Sequence, residues 1–215
     1  MRRVTLRTWL VLAALAAAAC AGPRAPAPPP PPPAAPPVAS PPPPRAAQRA
    51  PADFFPLEVG NSWTFLDQSP QQARASHHTV RIVRRDADGY FVDDQRGALR
   101  ADADCLHDRS RRLLCRPIEP GTSWTSVVSP SVTERYRIVG VDETVTVAAG
   151  TFDGCVRVRS QTRAAGVEQV AELTYAPGVG LVRIETSTLV DGVVTPQVRG
   201  ELESYRVTPV TPTQR

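Results

Sequence analysis

Three histidines and four cysteines are the side chains of this 215-residue chain best suited to covalent, metal-binding or acid–base chemistry. A serine or cysteine nucleophile needs a base and an orienting group beside it. The chain has no Gly-x-Ser-x-Gly elbow, no lysine, and only His77, His78 and His107 as histidines. Cys155 beside one of these histidines is the nucleophilic arrangement left to consider. Metal binding has little more support, because His77 and His78 are adjacent and would point to opposite faces of a strand, and no second ligand pair stands at a zinc-site spacing. Asp86-Ala87-Asp88-Gly89 and Asp102-Ala103-Asp104 echo oxygen-rich calcium loops. Neither has the glycine and distal glutamate of an EF-hand, and tight turns use Asp and Gly for backbone reasons alone. The glycines of Pro177-Gly178-Val179-Gly180 lead into a strand pattern and not a helix, which argues against a nucleotide cradle. The chain therefore reads as no enzyme, with no cofactor and no metal.

The cysteines sort by position. Cys20 ends a run that opens with Arg2, Arg3 and Arg7, continues through the apolar stretch Trp9 to Ala16 and closes in Ala17-Ala18-Ala19, the order of an export signal. Trp9 to Ala19 would rise only about 16 Å as a helix, roughly half of a ~30 Å hydrocarbon core, so a membrane span is excluded on length. A cysteine directly after the small residues resembles the lipobox of bacterial lipoproteins. That resemblance implies a signal peptide over residues 1–19 and an acylated Cys20 as the first mature residue, although Ala17 stands where lipoboxes usually carry Leu. Ordinary secretion is the competing reading. Ala21 follows where an aspartate would favour inner-membrane retention, so the resemblance implies the outer membrane. Of the other three cysteines, Cys105 and Cys115 flank the turn-like His107-Asp108-Arg109-Ser110 and can meet across neighbouring strands. Closing that loop would stabilise the fold by about 3 kcal/mol on the chain-entropy model. Cys155 is then a small buried hydrophobe at the start of a strand.

Charge changes meaning once the leader is set aside. The formal net charge is +4, with 25 basic residues, all arginine, against 21 acidic ones. Taking away the three leader arginines leaves 22 against 21. Removing Arg24, Arg45 and Arg49 as well leaves 19 against 21 from Asp53 onward, a net charge of −2. No nucleic-acid partner is expected of such a surface. Between Pro23 and Pro51 the chain is dominated by Pro and Ala, which favours an extended polyproline II tether of up to roughly 90 Å over residues 20–52. The proline runs could also be read as a ligand for an aromatic groove or a cell-wall polymer.

From Asp53 to Arg215 the periodicity is that of strands. Thr79 to Arg84, Tyr136 to Val139, Thr144 to Val147, Val156 to Arg159 and Leu181 to Thr186 alternate β-branched and charged residues. Turn signals at Asp88-Gly89, Gly150 to Gly154, Ala165-Gly166, Pro177 to Gly180 and Asp191-Gly192 separate them. The expected class is all-β and mainly antiparallel, a meander forming a sandwich or, preferably, one curved sheet or half-barrel over residues 53–215. Pro56-Leu57-Glu58-Val59-Gly60-Asn61-Ser62-Trp63-Thr64 recurs as Pro117-Ile118-Glu119-Pro120-Gly121-Thr122-Ser123-Trp124-Thr125. Trp63 and Trp124 are expected to be corner pieces that close the core. The alternative is that both line a ligand groove for a sugar or an apolar molecule.

These blocks, with Val147 to Val158 (containing Ala149-Gly150-Thr151-Phe152) and Tyr175-Ala176-Pro177-Gly178-Val179-Gly180-Leu181-Val182, resemble the signature blocks of an uncharacterised bacterial lipoprotein domain family. At the level of fold alone they are also similar to half-barrel lipoprotein carriers. The resemblance implies a lipid-anchored envelope protein with a binding or scaffolding role, and peptidoglycan or another envelope protein as partner. The fold-level likeness implies the alternative, a carrier of an apolar ligand in the concave face, although no lid helices are evident.

Overall fold

Alternation of apolar and charged residues produces long strands wherever it persists. In Val156-Arg157-Val158-Arg159 both valines are fully buried and both guanidinium groups turn away from them. The computed structural model describes residues 45–164 and 166–208. The expected signal peptide, Cys20 and the linker as far as residue 44 lie outside the described residues. Twelve strands follow two short 3-10 turns, Ala46–Gln48 and Pro51–Phe54. They are β1 (Ser62–Gln68), β2 (Ser76–Arg85), β3 (Phe91–Asp93), β4 (Ala98–Ala101), β5 (Cys105–His107) and β6 (Arg112–Cys115) in the first half. The second half holds β7 (Ser123–Ser129), β8 (Val132–Val147), β9 (Gly150–Ala164), β10 (Val167–Ala176), β11 (Gly180–Val190) and β12 (Val193–Arg206).

All twelve belong to one antiparallel sheet in the order β6-β5-β4-β3-β2-β1-β12-β11-β10-β9-β8-β7. Strands consecutive in sequence pair with each other except β6 and β7, and β1 pairs with β12 to join the two halves. The edges β6 and β7 meet through mixed contacts in place of a ladder. The Arg112 N–H donates to Ser126 Oγ (3.0 Å), Arg112 Nη2 to the Thr125 carbonyl (2.6 Å), and Trp124 Nε1 to the Arg112 carbonyl (2.6 Å). The sheet is thus a nearly closed barrel with one seam, the curved-sheet form expected from sequence.

Tyr136 to Val139 and Thr144 to Val147, two strand signals in the sequence, lie on one bent strand. Register slips between Ile138 and Val145, and Asp142 takes φ of 53°. The extra residues shift the inward face from Tyr136 and Ile138 to Val145 and Val147, all buried. Bending in this way lets one strand line two parts of the core. One cluster gathers Phe54, Leu106, Leu114, Ile118, Tyr136, Ile138, Val156, Val158 and Tyr175; the other gathers Trp63, Phe65, Ile82, Val145, Cys155, Val182 and Leu202.

The packed domain begins ahead of Asp53. Ala46 and Phe54 are fully buried and Pro51 is buried, the Ala46 N–H donates to Asp142 Oδ1 (2.9 Å), and Gly178 N–H donates to the Asp53 carbonyl (2.7 Å). Small and cyclic residues serve a tether and a plug equally well, so composition alone does not separate the two. The repeated block builds two equivalent corners. Gly60 (φ 97°) donates to the Ile82 carbonyl and Gly121 (φ 94°) to the Ile138 carbonyl, while the N–H groups of Ile82 and Ile138 return to Asn61 and Thr122. A side chain at either glycine would strain that left-handed turn, so glycine recurs at both. The corners start β1 and β7, so the repeat marks the two six-strand halves.

Candidate functional site

All four signature blocks fall at one end of the barrel, where the chain enters. There the loops Arg116 to Thr122, Ala148-Ala149 and Pro177 to Val179 close the core around Phe54. Tyr175 and Ala176 are buried, Val179 gives its carbonyl to Trp63 Nε1 (2.6 Å), and Gly180 (φ 116°) would place a Cβ only 3.2 Å from that nitrogen. The blocks that carry the family resemblance are therefore closure devices. They shape the core, and the Val147 to Val158 block places the free thiol of Cys155 within it.

Among the described residues, three clefts stand out at the opposite end. The largest, about 580 Å³, spans the sheet face turned away from the core across β10, β11, β12 and β1. Its floor follows from register, since directly paired antiparallel residues share a face. Glu172, Glu185, Arg199 and Gln68 form one rung; Val170, Ser187 and Pro196 form the next; and Ser69-Pro70 of the β1–β2 loop supplies a wall. Glu172 takes hydrogen bonds from Arg159 (2.5 Å) and Arg157 (2.9 Å). Burial alone would raise its carboxyl, but those guanidinium groups outweigh burial and hold it below the ordinary range. Arg199 reaches Glu201 at 2.7 Å and Glu185 at 3.3 Å, and the hydrogen bond to Glu201 raises its pKa. Glu185 is thus the more loosely held carboxylate of the floor. The cleft sets apolar contact from Val170, Pro196 and Pro70 beside the Glu185 carboxylate and the Arg199 guanidinium.

A second cleft of about 390 Å³ lies on the core-side face beyond the packed interior, lined by Glu134, Ser160, Thr162, Gln169, Thr186 and Thr188 among others. Hydroxyls, amides and the Glu134 carboxylate line it together with Val170 and Ala171. The third, about 370 Å³, sits over the seam beneath His107 to Arg112. Its arginines are engaged within the fold. Arg111 is bidentate to Glu134 (3.0 and 3.1 Å), Arg109 binds Asp86 (2.5 Å) and lies 4.8 Å over the Tyr90 ring, and Arg112 is tied to β7. Buried Tyr136 donates to Glu134 at 2.5 Å, and its pKa is raised by burial first and by that carboxylate second.

The sequence-derived candidates are dispersed. Cys105 and Cys115, cross-strand partners on β5 and β6, form a disulfide with an S–S distance of 2.05 Å. Cys155 is a free, fully buried thiol whose pKa is pushed up to about 11, by burial first and then by Asp153 and Glu143. Trp63 lies in one core cluster against Phe55, while Trp124 packs on the other, stacked on Tyr136 at 5.6 Å. Neither ring lines any of the three clefts. His77, His78 and His107 hydrogen-bond Glu203, Asp67 and Asp102 at the surface. Asp86 and Asp102 cap their own turns, accepting from the N–H groups of Asp88 and Tyr90 and of Asp104 and Cys105. Among the described residues no group of three or more His, Cys, Asp or Glu is placed to hold a metal ion, and no helix is long and apolar enough to cross a membrane.

The class that the fold defines is an all-β, up-and-down, nearly closed barrel with surface clefts at one end. No protein-family model matches the chain, and no curated protein matches its sequence. Among solved structures, a candidate exported protein with a YmcC-like fold from Bacteroides fragilis is similar at 16% identity and a TM-score of 0.43, covering 71% of this chain and 98% of that one. A candidate lipoprotein from Parabacteroides distasonis is similar at 14% identity and a TM-score of 0.39, covering the same shares. Neither similarity bears on what this chain binds or does.

Proposed function

We propose that the protein is a lipid-anchored lipoprotein of the bacterial cell envelope, held through Cys20 in the outer membrane, whose barrel is a non-catalytic binding or scaffolding domain. The observation that carries this reading is the separation of the two ends. Closure is concentrated where the tether enters, and the amphipathic cleft over β10, β11, β12 and β1 opens at the far end. Glu185, whose ion pair is the longer 3.3 Å contact to Arg199, lies beside Val170, Pro196 and Pro70 and favours a partner that offers apolar groups and a positive charge. An amine-bearing wall peptide or a basic segment of an envelope protein has that chemistry. A carrier role in the concave face would require space where Phe54, Leu106, Tyr136 and Tyr175 are packed, so it is not the reading we adopt.

The test uses the full chain in native membranes. Mass spectrometry of the mature N-terminal peptide should find an acylated Cys20. A photocrosslinking residue in place of Ser187, in the cleft, should capture a wall fragment or an envelope protein that one in place of exposed Arg84 on β2 does not. Identical products at the two positions would overturn the binding reading. A Cys20 without acyl chains would overturn the anchor.

A further inference from the structure

The inner face of the sheet changes character from one rung to the next. Ile138, Val158, Leu173 and Ile184 pair in register across β8, β9, β10 and β11, and Ile138 and Val158 are fully buried. Side chains two residues further on point the same way, so the next rung toward the far end is Tyr136, Ser160, Ala171 and Thr186. Beyond it stand Glu134, Thr162, Gln169 and Thr188. Apart from Tyr136, these two rungs line the cleft of about 390 Å³, joined by Gln197 of β12. The protein leaves much of their hydrogen-bonding capacity unused. Thr162 Oγ1 is buried and has no hydrogen-bond partner. Gln197 Nε2 reaches Thr188 Oγ1 at 3.3 Å, whereas the hydroxyls of Ser160 and Thr186 and the amide of Gln169 bond no described residue. A buried hydroxyl without a partner costs free energy, so such a face gains from a ligand that supplies hydrogen bonds.

We infer that this cleft is a second binding site and that it takes a short, neutral saccharide. Three features select that chemistry. Hydroxyls and carboxamides both donate and accept, as sugar hydroxyls do, and β9, β10, β11 and β12 bring them around one small volume. Charge in the cleft is already cancelled. Glu134 is its one ionisable side chain, and it is held by Arg111 (3.0 and 3.1 Å) and by the Tyr136 hydroxyl (2.5 Å). A charged ligand would find no free counter-charge there, unlike in the outer-face cleft beside Glu185. Each strand from β8 to β12 also has a neighbour on both sides, so no strand edge in this cleft is open to an extended peptide. The volume of about 390 Å³ lies within the ~300–1,000 Å³ usual for small ligands, and Ala171 offers a methyl group to the C–H face of a sugar ring. Ser160, Thr162, Gln169 and Thr188 do not line the outer-face cleft, so this inference stands apart from the partner proposed there.

The experiment titrates the full chain, in a detergent without a sugar headgroup, with cellobiose, diacetylchitobiose and cellobiouronate, the carboxylate analogue of cellobiose, by isothermal calorimetry. Saturable binding of at least one neutral disaccharide is expected, and cellobiouronate should bind about tenfold less tightly than the better neutral probe. Thr162→Val keeps the shape and removes the unpartnered hydroxyl. It should weaken binding about three- to tenfold while the melting temperature stays equal or rises, and Gln169→Ala should weaken binding to a similar degree. Glu185→Gln, in the outer-face cleft, should bind the disaccharide as the wild type does. A Thr162→Val protein with greater stability and unchanged affinity would overturn the inference, because the hydroxyl would then serve no ligand. Absence of saturable binding by both neutral disaccharides, the outcome for a cleft that holds water alone, overturns it as well. Cellobiouronate binding as tightly as cellobiose would refute the selection for a neutral ligand, and binding lost in Glu185→Gln but kept in Thr162→Val would move the saccharide to the outer face.

Discussion

Replacing Trp63 and Trp124 by alanine separates a closure role from a ligand groove. Trp63 is 2% exposed, packs on Phe55 with ring centroids 4.9 Å apart, and donates to the Val179 carbonyl at 2.6 Å. Losing a buried indole costs about 3–5 kcal/mol, and the abandoned Val179 carbonyl places Trp63→Ala toward the upper part of that range. Against a total of roughly 5–15 kcal/mol this removes a large part of the stability, and the melting temperature should fall by about 10 °C or more. Trp63→Phe keeps most of the apolar area but not the donor, so about 1–2 kcal/mol is expected. Trp124 is only partly buried, and its indole holds the seam by one hydrogen bond to Arg112, so Trp124→Ala should cost about 2–3 kcal/mol. The assay is urea unfolding followed by circular dichroism. The third tryptophan, Trp9, lies in the expected leader, so in processed protein each variant leaves a single indole as a second reporter. Trp63→Ala within about 1 kcal/mol of wild type, or Trp124→Ala the more damaging of the two, would refute this reasoning.

Three further outcomes follow from the same contacts. Gly180→Ala should destabilise by about 2 kcal/mol or more, because φ is 116° and the new Cβ meets Trp63 Nε1 at 3.2 Å, whereas Gly178→Ala, with open space around it, should cost about 1 kcal/mol; thermal melts of both variants check the order. Glu172 and Glu201 have folded pKa values below their unfolded ones, so their stabilisation is complete above about pH 5 and is lost as pH falls through the lowered values. Glu172→Gln should therefore flatten the acid limb of a stability profile between about pH 5 and pH 3 without steepening it near neutrality. Cys155 should resist thiol reagents at pH 8 in the native state, since burial keeps it protonated and covered, and should react fully in denaturant; rapid native labelling would refute its place in the core.

Much of the closure end was legible in the sequence because its signals are local. Gly60 and Gly121 sit where the backbone turns left-handed, Trp63 and Trp124 follow at the same offset, and Cys105 and Cys115 flank a short turn. The turn signal at Asp191-Gly192 was equally plain.

Strand character, the two repeated corners and the Cys105–Cys115 pairing were determined by sequence alone, since each depends on neighbours within a few residues or on one short hairpin. Only the tertiary structure decided that β1 joins β12, that Phe54 and Ala46 plug the entry end, and that Gln68, Glu172, Glu185 and Arg199 share a rung. Gln68 precedes the other three by more than a hundred residues. Their adjacency follows from the closure of the whole sheet and the register it imposes, which the spacing of residues along the chain does not contain.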